Sequence, residues 1–111
     1  MGRIGDTVKS EANILNEVMV ALSQAGCLIW RNNTGVLNDA NGRPIKFGLC
    51  KGSADLIGIA KDGRFLAVEC KTRTGRVRPE QELFIAAVKR AGGRAGVARS
   101  VEDALDIANG G

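Results

Sequence analysis

Residues 52–71 read GSADLIGIAKDGRFLAVECK, and this stretch limits the fold of the chain more than any other. Two short apolar runs flank the turn residues Lys61-Asp62-Gly63, the pattern of a β-hairpin. Three charged side chains stand where a core strand normally keeps apolar ones: Asp55, Glu69 and Lys71. Taking a lone carboxylate or ammonium out of water is costly, so charges kept on a core hairpin mark a site rather than a scaffold. Glu69 and Lys71 are two positions apart, and strand side chains alternate, so both point to one face. Whether Asp55 joins them depends on the turn. A two-residue Asp62-Gly63 loop sets Asp55 opposite Cys70 and apart from Glu69. A three-residue loop, with Gly63 in the left-handed region, sets Asp55 opposite Glu69. We take the second register, in which two carboxylates and a lysine make a divalent-metal site with an ammonium beside the attacking water.

The chain has 111 residues, enough for one domain with a real core and too few for two. We divide it into a polar, glycine-containing arm over residues 1–9 and a single domain over residues 10–111. It lacks histidine altogether, which excludes Ser-His and Cys-His nucleophiles and any His-ligated metal. General base work then falls to a carboxylate, a lysine or water activated by a metal. One Trp, three Phe and no Tyr leave too few aromatics for a base-stacking platform. The net charge of +4 suits a polyanionic partner. Cys27, Cys50 and Cys70 are odd in number and form no CxxC pair; they read as reduced, mostly buried thiols of a cytosolic protein. No run approaches membrane-spanning length, and the N-terminus has no signal-peptide core, so we expect a cytoplasmic protein without a membrane partner.

Along the chain, Ser10 caps a helix running to about Ala25, with Leu15, Val18, Leu22 and Ala25 in one stripe and Ile14 on its flank. Glu11 falls at the centre of that stripe. It either reaches the metal site or is a solvated first-turn acid favoured by the helix dipole. Residues 27–30 read as a strand, followed by polar turn chemistry at residues 31–35 and again at residues 41–44. Lys46, Lys51 and Gly52-Ser53 lead into the hairpin, where a glycine would let a phosphate approach the backbone. Arg73, Arg76 and Arg78 follow Lys71 in a loop suited to bidentate phosphate contacts. Pro79 opens a second helix with Leu83, Phe84, Ala87, Val88 and Ala91 as its apolar face and Gln81 at that face's edge, ended by Gly92-Gly93. A strand over residues 94–99 and a last helix capped by Ser100 with Asp103 complete the order α-β-β-β-α-β-α. This is an α/β fold, a small mixed sheet flanked by helices.

Glu69-Cys70-Lys71 preceded by Asp55 resembles the signature of PD-(D/E)XK nucleases, with Ala54 where the pattern has proline. Glu11 opening a helix, the run from Trp30 to Gly35, the run from Lys51 to Gly58, Glu69-x-Lys71 and Pro79-Glu80-Gln81, in that order, resemble the VRR-NUC branch over nearly the whole chain. The resemblance implies a restriction-endonuclease-like core and an endodeoxyribonuclease dependent on Mg²⁺ or Mn²⁺. Stand-alone relatives of this size resemble virus-type Holliday-junction resolvases. It further implies that Asp55, Glu69, the Cys70 carbonyl and Glu11 hold the metal, and that Glu11, Asp55, Glu69, Lys71 and Gln81 form the catalytic set. Arg31, Asn32, Lys51, Ser53, Arg73, Arg76 and Arg78 are the candidate DNA contacts. A four-way junction is two-fold symmetric and needs two cuts, so a resolvase is expected to be a homodimer. The segment from Trp30 to Phe47 is a candidate interface, with a core role for both aromatics as the alternative. Flap, nonspecific or restriction-type cleavage and a non-catalytic DNA-binding subunit are the competing functions. A phage or prophage origin, and hence the bacterial host cytoplasm, is the family-level expectation.

Overall fold

A computed structural model describes residues 9–110. The arm expected over residues 1–9 lies outside the described residues except for Lys9, whose ammonium pairs with Glu17 at 2.7 Å on the surface. The Ser10 hydroxyl accepts from the Asn13 amide at 3.1 Å and so starts helix α1, Glu11–Gln24. Ile14, Leu15, Val18 and Leu22 are its buried residues. Ala25, expected to end that stripe, is instead the exposed C-cap, because the helix stops one residue earlier.

Five strands follow: β1 Leu28–Arg31, β2 Gly35–Asn38, β3 Pro44–Phe47, β4 Leu56–Ile59 and β5 Phe65–Cys70. Then come α2 Pro79–Arg90, β6 Arg94–Ala98 and α3 Val101–Ala108. The order is therefore α-β-β-β-β-β-α-β-α, which corrects the sequence-based order by two strands. The added strands, β2 and β3, pair only with each other in a hairpin separate from the main sheet. Four-residue strands exposed along their length carry no burial alternation to read, so only their turn was legible. That turn is closed by Asp39, whose Oδ1 accepts from the amides of Asn41 at 2.8 Å and Arg43 at 2.9 Å. Trp30 and Phe47 are 53% and 42% exposed, so neither belongs to the core.

The main sheet runs β1-β4-β5-β6, antiparallel at the first two pairings and parallel between β5 and β6. One face carries Leu56, Leu66, Val68, Cys70 and Ala98 against α1 and α3, and this is the larger core. Each Leu or Val fully buried there contributes roughly 1.5–3 kcal/mol. On the other face the residues are small: Ala54, Ala67 and Ala95 meet Phe84, Ile85 and Val88 of α2. Leu83, Ala87 and Ala91, expected to be buried, are exposed, and Gln81 is the buried residue of α2. The reason is that α2 packs on β5 and β6 through Phe84, Ile85 and Val88; at about 100° per residue Leu83 lies nearly opposite these, and Ala87 and Ala91 lie on a flank with no packed neighbour among the described residues. Glu69 and Lys71 lie on this second face, beyond Ala67 along the same strand direction, at the end of the sheet where α2 begins.

Gly58 of β4 is buried where it meets β1, and a Cβ there would run into the Leu28 carbonyl. Backbone cannot swing aside as a side chain can. Gly58→Ala is expected to cost about 2–4 kcal/mol in urea unfolding. A loss below about 0.5 kcal/mol would show that the β1–β4 pairing is looser than described.

Candidate active site

The turn between β4 and β5 has three residues. Gly63 sits at φ +91°, its amide donates to the Ala60 carbonyl at 2.8 Å, and the Ala60 amide donates to the Arg64 carbonyl at 2.7 Å. Ile59 then faces Phe65 and Leu56 faces Val68, a register that continues to Asp55 opposite Glu69. Asp55 is locked to the neighbouring strand, its Oδ2 accepting from the Cys70 amide at 2.9 Å. Behind it, the Asn32 amide donates to the Asp55 carbonyl at 2.7 Å, and Asn32 Nδ2 donates to the Ala54 carbonyl at 2.9 Å and to Ser53 Oγ at 2.7 Å. Ser53 Oγ in turn donates to the Cys50 carbonyl at 2.7 Å. Asn32 and Ser53, both candidate DNA contacts, thus engage one another and the backbone that carries Asp55. Gly52, at φ +85°, packs on the first turn of α2; a Cβ would stand 2.5 Å from the Glu80 carbonyl. Its lack of a side chain serves this contact.

Glu11 stands at the first turn of α1, a helix of the opposite layer, yet its carboxylate reaches the same place. Oxygens of Glu11, Asp55 and Glu69 lie within 4.8 Å of one another. Glu69 is 2% exposed. Its Oε2 accepts from Gln81 Nε2 at 2.8 Å and faces Lys71 Nζ at 3.6 Å. Its Oε1 is buried with no hydrogen-bond partner among the described residues. Burial, and then the charge of Asp55, push the Glu69 carboxyl up to about 7, with Lys71 pulling the other way. The Cys70 thiol, on the apolar face, is pushed up to about 12 by burial and by Asp55, Glu69 and Glu11, which leaves it a packing group. Cys27 is buried as well and Cys50 is exposed, so two of the three free thiols are buried. Three converging carboxylates, one of them with a buried oxygen that has no partner among the described residues, repel one another unless a cation joins them. The donors are all hard oxygens, so the set fits a hard divalent ion.

Gln81 also ties the site to the basic loop. Its Oε1 accepts from the Arg78 amide at 2.9 Å, so one amide side chain spans from the end of the loop to Glu69. At the other end, the Lys71 amide donates to the Ala98 carbonyl at 3.0 Å. Arg99 Nη1 reaches the carbonyls of Thr72 at 2.6 Å, Gly75 at 2.8 Å and Arg73 at 3.3 Å. The sequence places Arg99 at the end of an incomplete Val-Arg-Arg run, Val97-Ala98-Arg99, and gives it no role, because a side chain that binds backbone carbonyls leaves no pattern in the residues it holds. Arg31, Lys51, Arg73, Arg76 and Arg78 are all exposed, and Arg78 approaches Glu80 at 3.6 Å.

The VRR-NUC domain matches residues 9–102. The chain belongs to the VRR-NUC family. No curated protein matches it. The VRR-NUC match runs from the residue before the α1 cap into α3, so it takes in Glu11, Asp55, Glu69, Lys71, Gln81 and Arg99 alike. A VRR-NUC domain indicates a nuclease-type, DNA-processing function.

Two outcomes follow from this geometry. A raised Glu69 means the folded state holds that proton more tightly than the unfolded chain, whose value is 4.5. Its contribution to stability is complete below about pH 4.5 and is lost as pH rises through about 7. In chelator, Glu69→Gln should therefore be more stable than wild type by about 1–3 kcal/mol at pH 8 and equal to it at pH 4. Parallel pH–stability curves for the two proteins would contradict this. Separately, Arg99→Ala should let trypsin cut after Arg73 and Arg76 at least about tenfold faster, since releasing one clamp lowers the local opening free energy. An unchanged rate at those bonds would remove the clamp.

Proposed function

We propose that this VRR-NUC chain is a divalent-metal-dependent, structure-specific DNA endonuclease that hydrolyses phosphodiester bonds, and that it resolves four-way junctions as a homodimer. The observation that carries the reading is the carboxylate cluster: three acids within 4.8 Å, one with an unpartnered buried oxygen, and a lysine 3.6 Å away. A pure DNA binder gains nothing from carboxylates facing phosphate.

Glu11, Asp55, Glu69 and the Cys70 carbonyl would hold Mg²⁺ or Mn²⁺. Once bound, such an ion supplies positive charge to the phosphoryl oxygens and makes water a better nucleophile. Lys71 orients that water through its ammonium and stabilises the charge that gathers on the non-bridging oxygens. Gln81 keeps the Glu69 carboxylate in place, and the Asn32–Ser53 pair does the same for the backbone at Asp55. Arg31, Lys51, Arg73, Arg76 and Arg78 hold the phosphate backbone. Such contacts position DNA without reading its sequence, which favours selection by shape. A two-fold substrate that needs two opposed cuts calls for two such sites in one assembly.

Cleavage of a labelled four-way junction is compared with cleavage of a matched linear duplex in Mg²⁺ or Mn²⁺. Wild type should make paired, symmetric cuts in the junction, and Asp55→Ala should make none. Lys71→Ala should cut about 10²–10³-fold more slowly while binding the junction as wild type does. Parallel loss of binding and cleavage in Lys71→Ala would take away its assigned role. Equal cutting of both DNAs would remove the junction preference, and binding without any cutting would favour a non-catalytic subunit.

A further inference from the structure

Arg31, the last residue of β1, lies opposite Leu56, and the β2–β3 hairpin follows it, so the hairpin starts at the same end of the sheet as the carboxylate cluster. Strand alternation puts Leu37 and Ile45 on one face of the hairpin and Val36 and Lys46 on the other. The second face and residues 48–51 enclose a cavity of 520 Å³, bordered by Thr34, Val36, Lys46, Phe47, Leu49 and Lys51. Backbone gives it shape. Gly48, at φ +86°, is pressed to the base of the hairpin, where a Cβ would stand 2.5 Å from the Asn33 carbonyl. The Phe47 ring lies on Gly35, where a Cβ would stand 2.5 Å from its Cζ. Val36, Phe47 and Leu49 nonetheless stay 56%, 42% and 52% exposed. The charge around the cavity has one sign. Residues 40–54 hold Arg43, Lys46 and Lys51 and no acid. Asp39, at the tip, is taken up by the amides of Asn41 and Arg43 and by Arg43 Nε at 3.2 Å. No carboxylate among the described residues pairs with Lys46 or Lys51.

We propose that this cavity takes one unpaired base of the DNA, with Val36, Phe47 and Leu49 against the base and Lys46 and Lys51 on the phosphates beside it. An apolar pocket rimmed by unpaired cations suits a flat ring that carries negative charge on its flanks, and a nucleotide is such a group. The volume lies in the range of about 300–1,000 Å³ typical of pockets for small ligands. A single ring holds a single base, short of the row of aromatics that binds a whole strand. A base inside a duplex is stacked and closed to the pocket, whereas an unpaired one leaves its stack at low cost. The pocket is also wired to the cluster. Cys50 on its wall accepts at its carbonyl from Ser53 Oγ at 2.7 Å, and Ser53 accepts from Asn32, which braces Asp55. Lys51 precedes Asp55 by four residues, a span of at most about 14 Å. One DNA strand advances about 3.4 Å per nucleotide, so the captured base lies within about four nucleotides of the cut. This names the feature by which the nuclease of Proposed function selects its DNA, and it rests on that reading. The opposite face of the hairpin, with Leu37 and Ile45 66% and 52% exposed, takes no part.

The test is binding of the full chain, in chelator, to a linear duplex with one unpaired 2-aminopurine and to the same duplex fully paired. The emission of 2-aminopurine rises when it leaves its stack. Wild type should bind the first DNA at least about tenfold more tightly than the second and raise its emission at least about twofold. Leu49→Asp changes an exposed side chain and should keep the melting temperature. It should lose the emission rise and about tenfold in affinity for the unpaired-base DNA, and bind the paired duplex as wild type does. Lys46→Ala should lower the slope of log Kd against log salt by about one. Leu37→Asp, on the other face, should behave as wild type in every reading. Equal affinity for the two DNAs, an unchanged emission, binding of neither DNA, or loss through Leu37→Asp instead would each overturn the proposal. So would a Leu49→Asp protein whose molar mass changes while its DNA binding does not, since the face would then join copies of the chain. In Mg²⁺, an emission rise without cutting keeps the pocket and removes the nuclease. Cutting without an emission rise keeps the nuclease and removes the pocket.

Discussion

The left-handed backbone at Gly63 closes a three-residue turn, and the register it imposes puts two carboxylates opposite each other at one end of the sheet. One residue less would turn Asp55 toward Cys70 and scatter the charges over both faces, since side chains alternate along a strand. The rest of the site is built onto that pairing. The Cys70 amide fixes Asp55 on one side, and Asn32 braces its backbone from the other. Gln81 holds Glu69 from the first turn of α2. Glu11 arrives from the opposite layer because α1 begins at the same end of the sheet.

The two faces of the sheet do different work. The face under α1 and α3 is a closed apolar core, with Leu56, Leu66, Val68 and Cys70 fully buried. The face under α2 is built from alanines near the helix and ends in Glu69 and Lys71. Small side chains let α2 lie close enough for Gln81 to reach Glu69. That same close approach confines α2 to two strands and leaves the other two bare.

Much of the site was legible because its chemistry is local. Asp55, Glu69 and Lys71 stand out as charges in apolar runs, and their common face follows from strand alternation once the turn length is chosen. Glu11 was visible as a carboxylate on an apolar stripe, but a helix wheel cannot distinguish a side chain reaching a distant strand from one in water. The basic loop could be read from its arginines. Its anchorage could not, because Arg99 binds carbonyls of Thr72, Arg73 and Gly75 that any residue would supply. Asn32 and Ser53 read as candidate DNA contacts in the sequence, and the fold makes them partners 21 residues apart, which no local pattern shows.

By itself the sequence determined the three helices and the strands of the main sheet, the helix caps at Ser10 and Ser100, the turn at Gly63 and the shared face of Glu69 and Lys71. These depend on backbone preference and on neighbours within a few positions. Tertiary structure alone decided that Glu69 keeps one oxygen without a partner among the described residues, that Gln81 bridges it to the loop, and that Leu83, Ala87 and Ala91 stay exposed while Phe84, Ile85 and Val88 pack on the sheet. A periodic apolar stripe records how much surface a helix must hide from water. How much of it one chain covers depends on how far across the sheet that helix lies, and that is set by packing between elements distant in the chain.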